Sequence, residues 1–412
     1  MEKIVITGIG IISPLGIGKE EFWKNDQAGL SVTCSSEYMK RLHIKSTVNA
    51  SIDCDIDTYL NNSQLQYLKN ESRFCKLEVI ATNEAIKDSK IMSRVSRKRI
   101  GIISSSAIGG TPEIQKTYEK LTDNKGKLEY KEVGKEFYND GMFNFPAEYI
   151  AKYYNLSNVC VSLSTGCTAG IDALFTAIQM IKSGEADAMI VCASEAPLCS
   201  LTYGTLDSIG ALSQWKGAGN KASRPFDKRR KGFVLSEAGA SIIIERESDT
   251  LGEKVPTYGS VKGFASYNNS LHMTDLKDPT VLIRTIESAI KRSKLNLNEI
   301  DYINAHGSST IQNDKCESLA INKVFKKYVS QIPVSSTKSM MGHPLSAASL
   351  VALIATLGAI NNNIVPPNIN YEYPDKECSI NVNNYSINKK IKNALIMASG
   401  FGGIHSACVI GK

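Results

Sequence analysis

One cysteine of the sequence, Cys167, lies at a position suited to nucleophilic chemistry. It follows the apolar run 159–163 and precedes the apolar stretch 169–183, so we expect a small-residue turn in which a strand passes into a helix. Amide N–H groups at a helix N-terminus favour the thiolate, which is the nucleophilic form of cysteine. A buried cysteine with a purely structural role would fit the same turn, so this motif alone leaves both interpretations open.

Two of the five histidines occupy similar positions. His306 follows the strand-like run 300–305 and precedes a glycine, and His343 stands at a turn before a helical stretch. Either histidine alone is typical of a structural residue. With Cys167 they form a thiol and two imidazoles at strand ends, where α/β proteins carry their sites. A thiolate can accept an acyl group, and two imidazole N–H groups can hold the oxygen of a developing enolate.

The composition limits the classes of protein to consider. Of 412 residues, 42% are hydrophobic and 22% are charged, as in ordinary globular proteins. Ten cysteines without a CxxC pair argue against a zinc site and a disulfide framework, so we expect no metal. The net charge of +7 is spread along the chain and aromatic residues make up only 7%, which disfavours a nucleic-acid partner. A mildly basic surface suits an acidic protein partner.

The sequence also predicts a location and a layer architecture. The N-terminus lacks a signal-peptide cleavage pattern, and the apolar run 350–360 is too short to span a bilayer, so we expect a cytoplasmic protein with no membrane contact. Strand and helix signals alternate, which predicts an α/β fold. Strands are predicted over 3–7, 99–104, 159–163, 188–193, 240–245, 300–305 and 394–398; helices over 73–88, 169–183, 280–293 and 345–361; and loop-rich stretches over 123–135 and 361–384.

Ordered motifs along nearly the whole chain resemble the β-ketoacyl-[acyl carrier protein] synthase family of the thiolase superfamily. The resemblance implies a duplicated five-layer α-β-α-β-α sandwich, with a nucleophile-bearing half over 1–254 and a histidine-bearing half over 255–412. The turn Gly166-Cys167 before one helix and Gly342-His343 before another are a weak internal match consistent with duplication. The motifs are VITGIGIISPLG from Val5, the Cys167 segment, SRPFDKRRKGF from Ser223, LHMT from Leu271, NAHGSST from Asn304, KSMMGH from Lys338, VPPN from Val365 and SGFGG from Ser399.

The same resemblance assigns roles to individual residues. It implies that Cys167 is the acyl-accepting nucleophile and that His306 and His343 hold the extender thioester as malonyl decarboxylates. Lys338 would be an electrostatic support paired with Glu317. The remaining assignments are the backbone N–H groups of Cys167 and Phe401 as oxyanion hole, Phe401 as gating aromatic, Ala107 and Ile108 as further acyl-pocket residues, and Ser308 and Thr310 as contacts of the phosphopantetheine arm. No cofactor is implied, since acyl carrier protein delivers the substrates on that arm.

Some positions depart from the family pattern. Ser346 and Ser349 replace glycines that usually follow the second histidine, which puts the local backbone fit in question. His405 stands where the fatty-acid enzymes usually have asparagine, and we interpret it as structural.

The residues around Cys167 distinguish members of the family. Gly166-Cys167-Thr168 resembles the catalytic alpha ketosynthase subunit of type II polyketide synthases, whereas fatty-acid enzymes usually carry Ala-Cys-Ala. This favours polyketide assembly, with acyl carrier protein as partner and a heterodimer with a chain-length-factor-like homologue; the alternative assembly is a homodimer. A β-ketoacyl synthase II-type enzyme of fatty-acid elongation is the first alternative function. A non-catalytic scaffold subunit is the second.

Overall fold

Strands and helices alternate along residues 2–122 and 133–412, which are the residues that the computed structural model describes. The strands are β1 (Ile4–Ser13), β2 (Gly16–Ile17), β3 (Cys34–Ser35), β4 (Val48–Ala50), β5 (Ile100–Ser105), β6 (Cys160–Leu163), β7 (Ala188–Glu195), β8 (Leu235–Ser236), β9 (Ala238–Arg246), β10 (Gly259–Asn268), β11 (Tyr302–Asn304), β12 (Val334–Ser335), β13 (Ile364–Val365), β14 (Ile387–Asn388), β15 (Asn393–Gly400) and β16 (Ile404–Gly411). The helices are α1 (Lys19–Ala28), α2 (Glu37–Arg41), α3 (Asn62–Leu68), α4 (Arg73–Ser89), α5 (Ile91–Arg94), α6 (Thr111–Thr122), α7 (Lys135–Gly141), α8 (Phe145–Tyr154), α9 (Ala169–Lys182), α10 (Ser200–Ser208), α11 (Glu247–Thr250), α12 (Thr280–Ser293), α13 (Ile311–Phe325), α14 (Lys338–Met341) and α15 (Ala348–Asn362).

The main sheet shows an internal duplication. Its hydrogen-bonded path through the described strands is β6-β5-β7-β9-β1-β10-β16-β15-β11-β12. One half of the chain runs through β1, α4, β5, α8, β6, α9, β7 and β9, and the other repeats this order through β10, α12, β11, α13, β12, α15, β15 and β16. In each half the last strand is antiparallel to its neighbours, whereas the three strands at the far end are parallel. The halves join where Val5 of β1 lies opposite Ser260 of β10.

The helices complete the five-layer α-β-α-β-α sandwich that the resemblance implied. Helices α4 and α8 pack on the outside of the first half, and α12 packs on the outside of the second half together with α13. Helices α9 and α15 contact each other and lie between the two halves of the sheet. Their side chains join residues of both halves in one apolar core that includes Ile171, Leu350, Ile242 and Ile410.

The apolar patterns of the helices explain their layers. Every residue of α15 from Ala348 to Ile360 is buried, as expected of a helix covered on all sides. In α12 the buried Leu282, Ile286, Ala289 and Ile290 recur at helical spacing, so only one face is covered. In the described chain one helical stretch, Leu345–Asn362, is long and apolar enough to cross a membrane, but 89% of it is buried inside the protein. It is therefore the core helix of the middle layer.

Several predicted elements differ in their bounds from the observed ones. The first strand covers Ile4–Ser13 instead of 3–7, because Gly8 and Gly10 let the backbone of α4 approach where a side chain would collide. The predicted helix 345–361 begins as a short 3-10 turn, Leu345–Ala347, and α15 itself begins at Ala348. Of the predicted loop 123–135, residues 123–132 lie outside the described residues, and Lys135 begins α7.

Candidate active site

The candidate catalytic residues follow the carboxyl ends of parallel strands. Cys167 follows β6, His306 follows β11, and the segment carrying Lys338 and His343 follows β12. Strands β5, β6 and β7 are mutually aligned in parallel, as are β11, β12 and β15. Side chains that follow such strands converge at one edge of a sheet. The duplicated topology therefore places Cys167 before α9 and His343 before α15 at equivalent points of the two halves.

The turn that carries Cys167 is held by a buried carboxylate. Gly166 has φ +63°, a conformation in which a side chain would be strained. Gly166 and Cys167 lie in the same 3-10 turn, Gly166–Thr168. The hydroxyls of Thr165 and Thr168 each donate to Asp172 Oδ2 at 2.7 Å. Ser406 Oγ of β16 donates to Asp172 Oδ1 at 2.6 Å. Asp172 thus ties the nucleophile turn to the second half of the chain, a role that the sequence motifs did not indicate.

The two histidine rings lie side by side in a buried site. Their centroids are 5.3 Å apart with an interplanar angle of 76°. Burial, followed by the positive charge of Lys338, holds the pKa of both His306 and His343 well below the ordinary value. Both imidazoles are therefore neutral at physiological pH, and each has one N–H to donate. Phe233 packs edge-on against His343 with a centroid distance of 5.1 Å.

Lys338 and Glu317 contact the same peptide from two sides instead of forming the expected ion pair. Lys338 Nζ donates to the carbonyl oxygen of His306 at 2.8 Å. Glu317 accepts the backbone N–H groups of His306 at 2.6 Å and Gly307 at 2.8 Å. Among the described residues no direct Lys338–Glu317 contact within hydrogen-bond distance is present, although the charge of each group favours the ionised form of the other. The sequence motif could not show that the peptide of His306 stands between them.

Burial dominates the acidity of the thiol. Cys167 is only 9% exposed, and burial raises the pKa of its thiol to about 11. The charge of Lys338 and the backbone N–H groups of Cys167 and Phe401 lower this pKa, whereas the charge of Glu195 raises it. The expectation that a helix start yields a thiolate is therefore not met in the free protein. The same two N–H groups therefore lie close to the sulfur.

An open cavity borders Phe401. It has a volume of about 550 Å³, and its lining includes Phe401, Thr310, Lys231 and Leu276. Phe401 lies between β15 and β16 and is 37% exposed. Ser308, which is buried, and Thr310 share a hydrogen bond of 2.9 Å between their hydroxyls. Of the residues expected to contact a phosphopantetheine arm, Thr310 thus borders the cavity, and Ser308 is hydrogen-bonded to Thr310.

The predicted pocket residues Ala107 and Ile108 belong to an apolar cluster. They follow β5, are half-buried, and pack against a cluster that includes Tyr203, Phe233 and Leu345. Because Phe233 also contacts His343, this cluster adjoins the two histidines.

Two more groups near the site were given no catalytic role by the sequence. Glu195, the last residue of β7, is fully buried, and its position at the end of an apolar strand was a signal that could have been followed. His405 of β16 is also buried, and Ser399 contacts its Nδ1 at 2.9 Å. Burial lowers the pKa of His405 to about 4, so it remains neutral. No group of three or more potential metal ligands occurs in the described chain.

Comparisons with known proteins agree with this architecture. Residues 1–250 match the family model for the N-terminal domain of beta-ketoacyl synthase, and residues 258–372 match its C-terminal domain. The chain is 33% identical to the tetracenomycin polyketide synthase ketoacyl synthase alpha subunit of Streptomyces glaucescens, over 100% of this chain and 97% of that protein. It is 31% identical to 3-oxoacyl-[acyl-carrier-protein] synthase 2 of Coxiella burnetii, over 100% and 99%.

Solved structures share the fold. One is a chain in a complex of a type II PKS acyl-carrier protein with its ketosynthase bound to the hexaketide; its TM-score is 0.92 at 34% identity, covering 100% of this chain and 99% of that one. Another is the ishigamide ketosynthase/chain length factor, with a TM-score of 0.90 at 23% identity, covering 100% and 99%.

Proposed function

Because the chain belongs to the β-ketoacyl synthase family, we propose that it catalyses the decarboxylative Claisen condensation of a type II polyketide synthase. In this reaction malonyl-acyl carrier protein condenses with an acyl group held on Cys167. The observation that carries the proposal is the buried thiol together with two neutral imidazoles whose rings lie 5.3 Å apart. A thiol can hold the acyl group, and two N–H donors can stabilise the enolate of the extender.

The first half-reaction loads the enzyme. The sulfur of Cys167 attacks the thioester carbon delivered by acyl carrier protein, and the phosphopantetheine sulfur leaves with the proton of the thiol. The backbone N–H groups of Cys167 and Phe401 donate to the oxyanion of the tetrahedral intermediate. Because the pKa of the free thiol is about 11, the thiol is almost entirely protonated at neutral pH, so loading includes the removal of its proton.

The second half-reaction forms the carbon–carbon bond. His306 and His343 donate N–H groups to the thioester oxygen of malonyl-acyl carrier protein. Loss of CO₂ leaves an enolate whose carbon attacks the acyl carbon on Cys167, and the cysteine sulfur leaves. Neutral imidazoles suit this role, since they stabilise the enolate oxygen without protonating it. Lys338 and Glu317 act as supports that hold the peptide of His306.

The cavity next to Phe401 is the route for the substrate arm in this proposal. Thr310 and Ser308 contact the phosphopantetheine arm, Phe401 gates the site, and Ala107 and Ile108 line the acyl pocket. No cofactor is bound by the chain itself. The partners are acyl carrier protein and a chain-length-factor-like homologue.

The division between the two halves of the chain is placed between residues 254 and 255. The proposed location is the cytoplasm, because the free thiols of Cys34, Cys54 and Cys160 at the surface suit a reducing compartment.

Fatty-acid elongation remains the second candidate function. The specific observation in its favour is the 31% identity to the Coxiella burnetii 3-oxoacyl-[acyl-carrier-protein] synthase 2, close to the 33% for the tetracenomycin subunit. The sequence Gly166-Cys167-Thr168 favours the polyketide pathway. A scaffold role is disfavoured because the thiol and both imidazoles are retained.

The test is to incubate the chain with acyl-acyl carrier protein and detect the adduct by intact-protein mass spectrometry. The adduct should map to Cys167 and be lost in Cys167→Ala. Cys160→Ala is the control, because Cys160 is exposed and would report non-specific surface acylation. An adduct that persists in Cys167→Ala would contradict the assignment.

A second measurement distinguishes the pathways. The chain is co-expressed with a chain-length-factor-like homologue, and the assembly is examined by native mass spectrometry with malonyl-acyl carrier protein as extender. We expect a heterodimer whose products retain several unreduced keto groups. A fully active homodimer that extends saturated acyl chains by one unit would support the fatty-acid function instead.

A further inference from the structure

The carboxylate of Glu195 accepts an unusual set of hydrogen bonds. It is fully buried at the end of β7. Oε1 accepts the Ser106 hydroxyl at 2.6 Å and the Ile108 N–H at 3.2 Å. Oε2 accepts the Ala107 N–H at 2.9 Å, together with the N–H and hydroxyl of Ser346 at 3.2 and 2.7 Å. No basic side chain lies within ion-pair distance of it in the described chain, so these five donors alone hold the carboxylate.

The donors come from two separate parts of the site. Ser106, Ala107 and Ile108 form the loop after β5, which borders the apolar cluster next to the histidines. Ser346 lies three residues after His343, in the turn that leads into α15. One buried carboxylate therefore joins the pocket loop of the first half to the histidine-bearing turn of the second.

The histidine-bearing turn needs such a restraint. Leu345, between His343 and Ser346, has φ +40°, a backbone conformation that a leucine adopts only under constraint from its surroundings. The side chain of Leu345 is buried in the same apolar cluster that Ala107 and Ile108 pack against. The two hydrogen bonds from Ser346 to Glu195 keep the chain in this conformation. Ser346 is one of two serines that stand where the family usually has glycine.

We propose that Glu195 is a positioning residue that couples the pocket loop 106–108 to the turn carrying His343. The proposal rests on the proposed function, since it assigns the apolar cluster to the acyl chain. Through this coupling, Ser346 and Glu195 together set how strictly the pocket discriminates acyl length. In its ionised form Glu195 also raises the pKa of the Cys167 thiol through its negative charge, while burial raises the pKa of the Glu195 carboxyl itself.

The test compares Glu195→Gln and Ser346→Ala with Ser349→Ala. Ser349 is a matched control, because it is a buried serine on the same segment that bonds to the Ile171 N–H and does not contact Glu195. The first readout is alkylation of Cys167 by iodoacetamide at pH 7, measured by intact mass. Lys338, whose charge lowers the pKa of the thiol, is unchanged in these variants.

Glu195→Gln should alkylate about three- to tenfold faster, because removing a nearby charge shifts a pKa by about half a unit to one unit. Ser346→Ala keeps the charge and should alkylate at the wild-type rate. The second readout is acylation of Cys167 by butanoyl and octanoyl N-acetylcysteamine thioesters. In both Glu195→Gln and Ser346→Ala the ratio of the butanoyl to the octanoyl acylation rate should move at least threefold towards unity. Ser349→Ala should keep the wild-type ratio.

Two results would overturn the proposal. One is a rate ratio in Ser346→Ala and Glu195→Gln equal to that of Ser349→Ala. The other is alkylation of Glu195→Gln at the wild-type rate. Either outcome leaves the proposed function standing as long as the acyl adduct still maps to Cys167, so the two ideas fail separately. If Glu195→Gln does not fold, Ser346→Ala alone decides the coupling.

Discussion

The thiol of Cys167 and the ammonium group of Lys338 should titrate as a coupled pair. The alkylation rate of the thiol measures this coupling. With a pKa of about 11 for Cys167, about one molecule in a thousand is thiolate at pH 8. An unperturbed thiol of pKa 9 would be about one-tenth ionised, so Cys167 should react about a hundredfold more slowly than such a thiol. Below pH 8 its rate should rise about tenfold per pH unit.

The profile should level off near pH 8. Burial lowers the pKa of Lys338 to about 8, so above this pH the lysine loses the charge that favours the thiolate. Above pH 8 each tenfold fall in proton concentration also lowers the charged fraction of Lys338 tenfold, so the rate should stay nearly constant for about one pH unit, until the thiol ionises beside the neutral lysine. The charges of Glu195 and Glu317 also act on the pair; the pKa of Glu317 is about 7, so this carboxylate is largely charged at the break, whereas burial raises the pKa of Glu195. The neutral histidines do not contribute to it.

Lys338→Met should remove the break. Without the positive charge the alkylation rate at pH 7 should fall by roughly tenfold, one pKa unit, and then rise in a straight line to pH 10. Lys338→Arg keeps a charge at every pH, so its rate should continue to rise through pH 8. The assay is iodoacetamide alkylation followed by intact mass from pH 6 to 10, with folding checked by circular dichroism. A break near pH 8 that persists in Lys338→Met would refute the coupling.

Three further predictions concern the fold and the supports of the site. Gly166→Ala should lower the free energy of unfolding by about 1–2 kcal/mol, because Gly166 has φ +63°, and it should also slow alkylation of the Cys167 thiol. Gly184→Ala is the control: Gly184 has φ +81° and lies in open space, so the loss of stability should be similar but alkylation should not slow. Glu317→Gln leaves one acceptor oxygen for two backbone N–H groups, so its free energy of unfolding, measured with urea, should fall by about 1–3 kcal/mol. The variant should also lose most of its malonyl decarboxylation, measured as CO₂ release. Leu350→Ala should cost about 2–5 kcal/mol by calorimetry, and a loss below 1 kcal/mol would contradict its core position.

The sequence was informative where local pattern and tertiary environment agree. The helix 280–293 was predicted with its observed bounds, because α12 has one apolar face and polar residues on the other. The positions of Cys167 and His306 were also visible, since each follows an apolar run and precedes a turn, and His343 was recognised by the turn before a helical stretch. Family motifs then supplied roles that no spacing could.

The relations between distant segments could not be predicted in this way. The separation of Lys338 from Glu317 depends on the position of the His306 peptide between them, which only the tertiary structure reveals. The acidity of Cys167 depends on its burial, which outweighs the local effect of the helix start. Glu195 was missed because its partners, Ser106 and Ser346, are far from it in the chain.

The shared middle layer has a consequence for how the chain folds during synthesis. Helix α9 of the first half is covered by α15, so the inner face of the first half stays exposed until α15 has been made. Ribosomes add ~5–20 residues per second, which leaves this apolar face open for several seconds after β9 has emerged. Contacts of such long sequence separation also form slowly. The nascent first half should therefore bind chaperones that recognise apolar surface. Expression of residues 1–254 alone should yield aggregates.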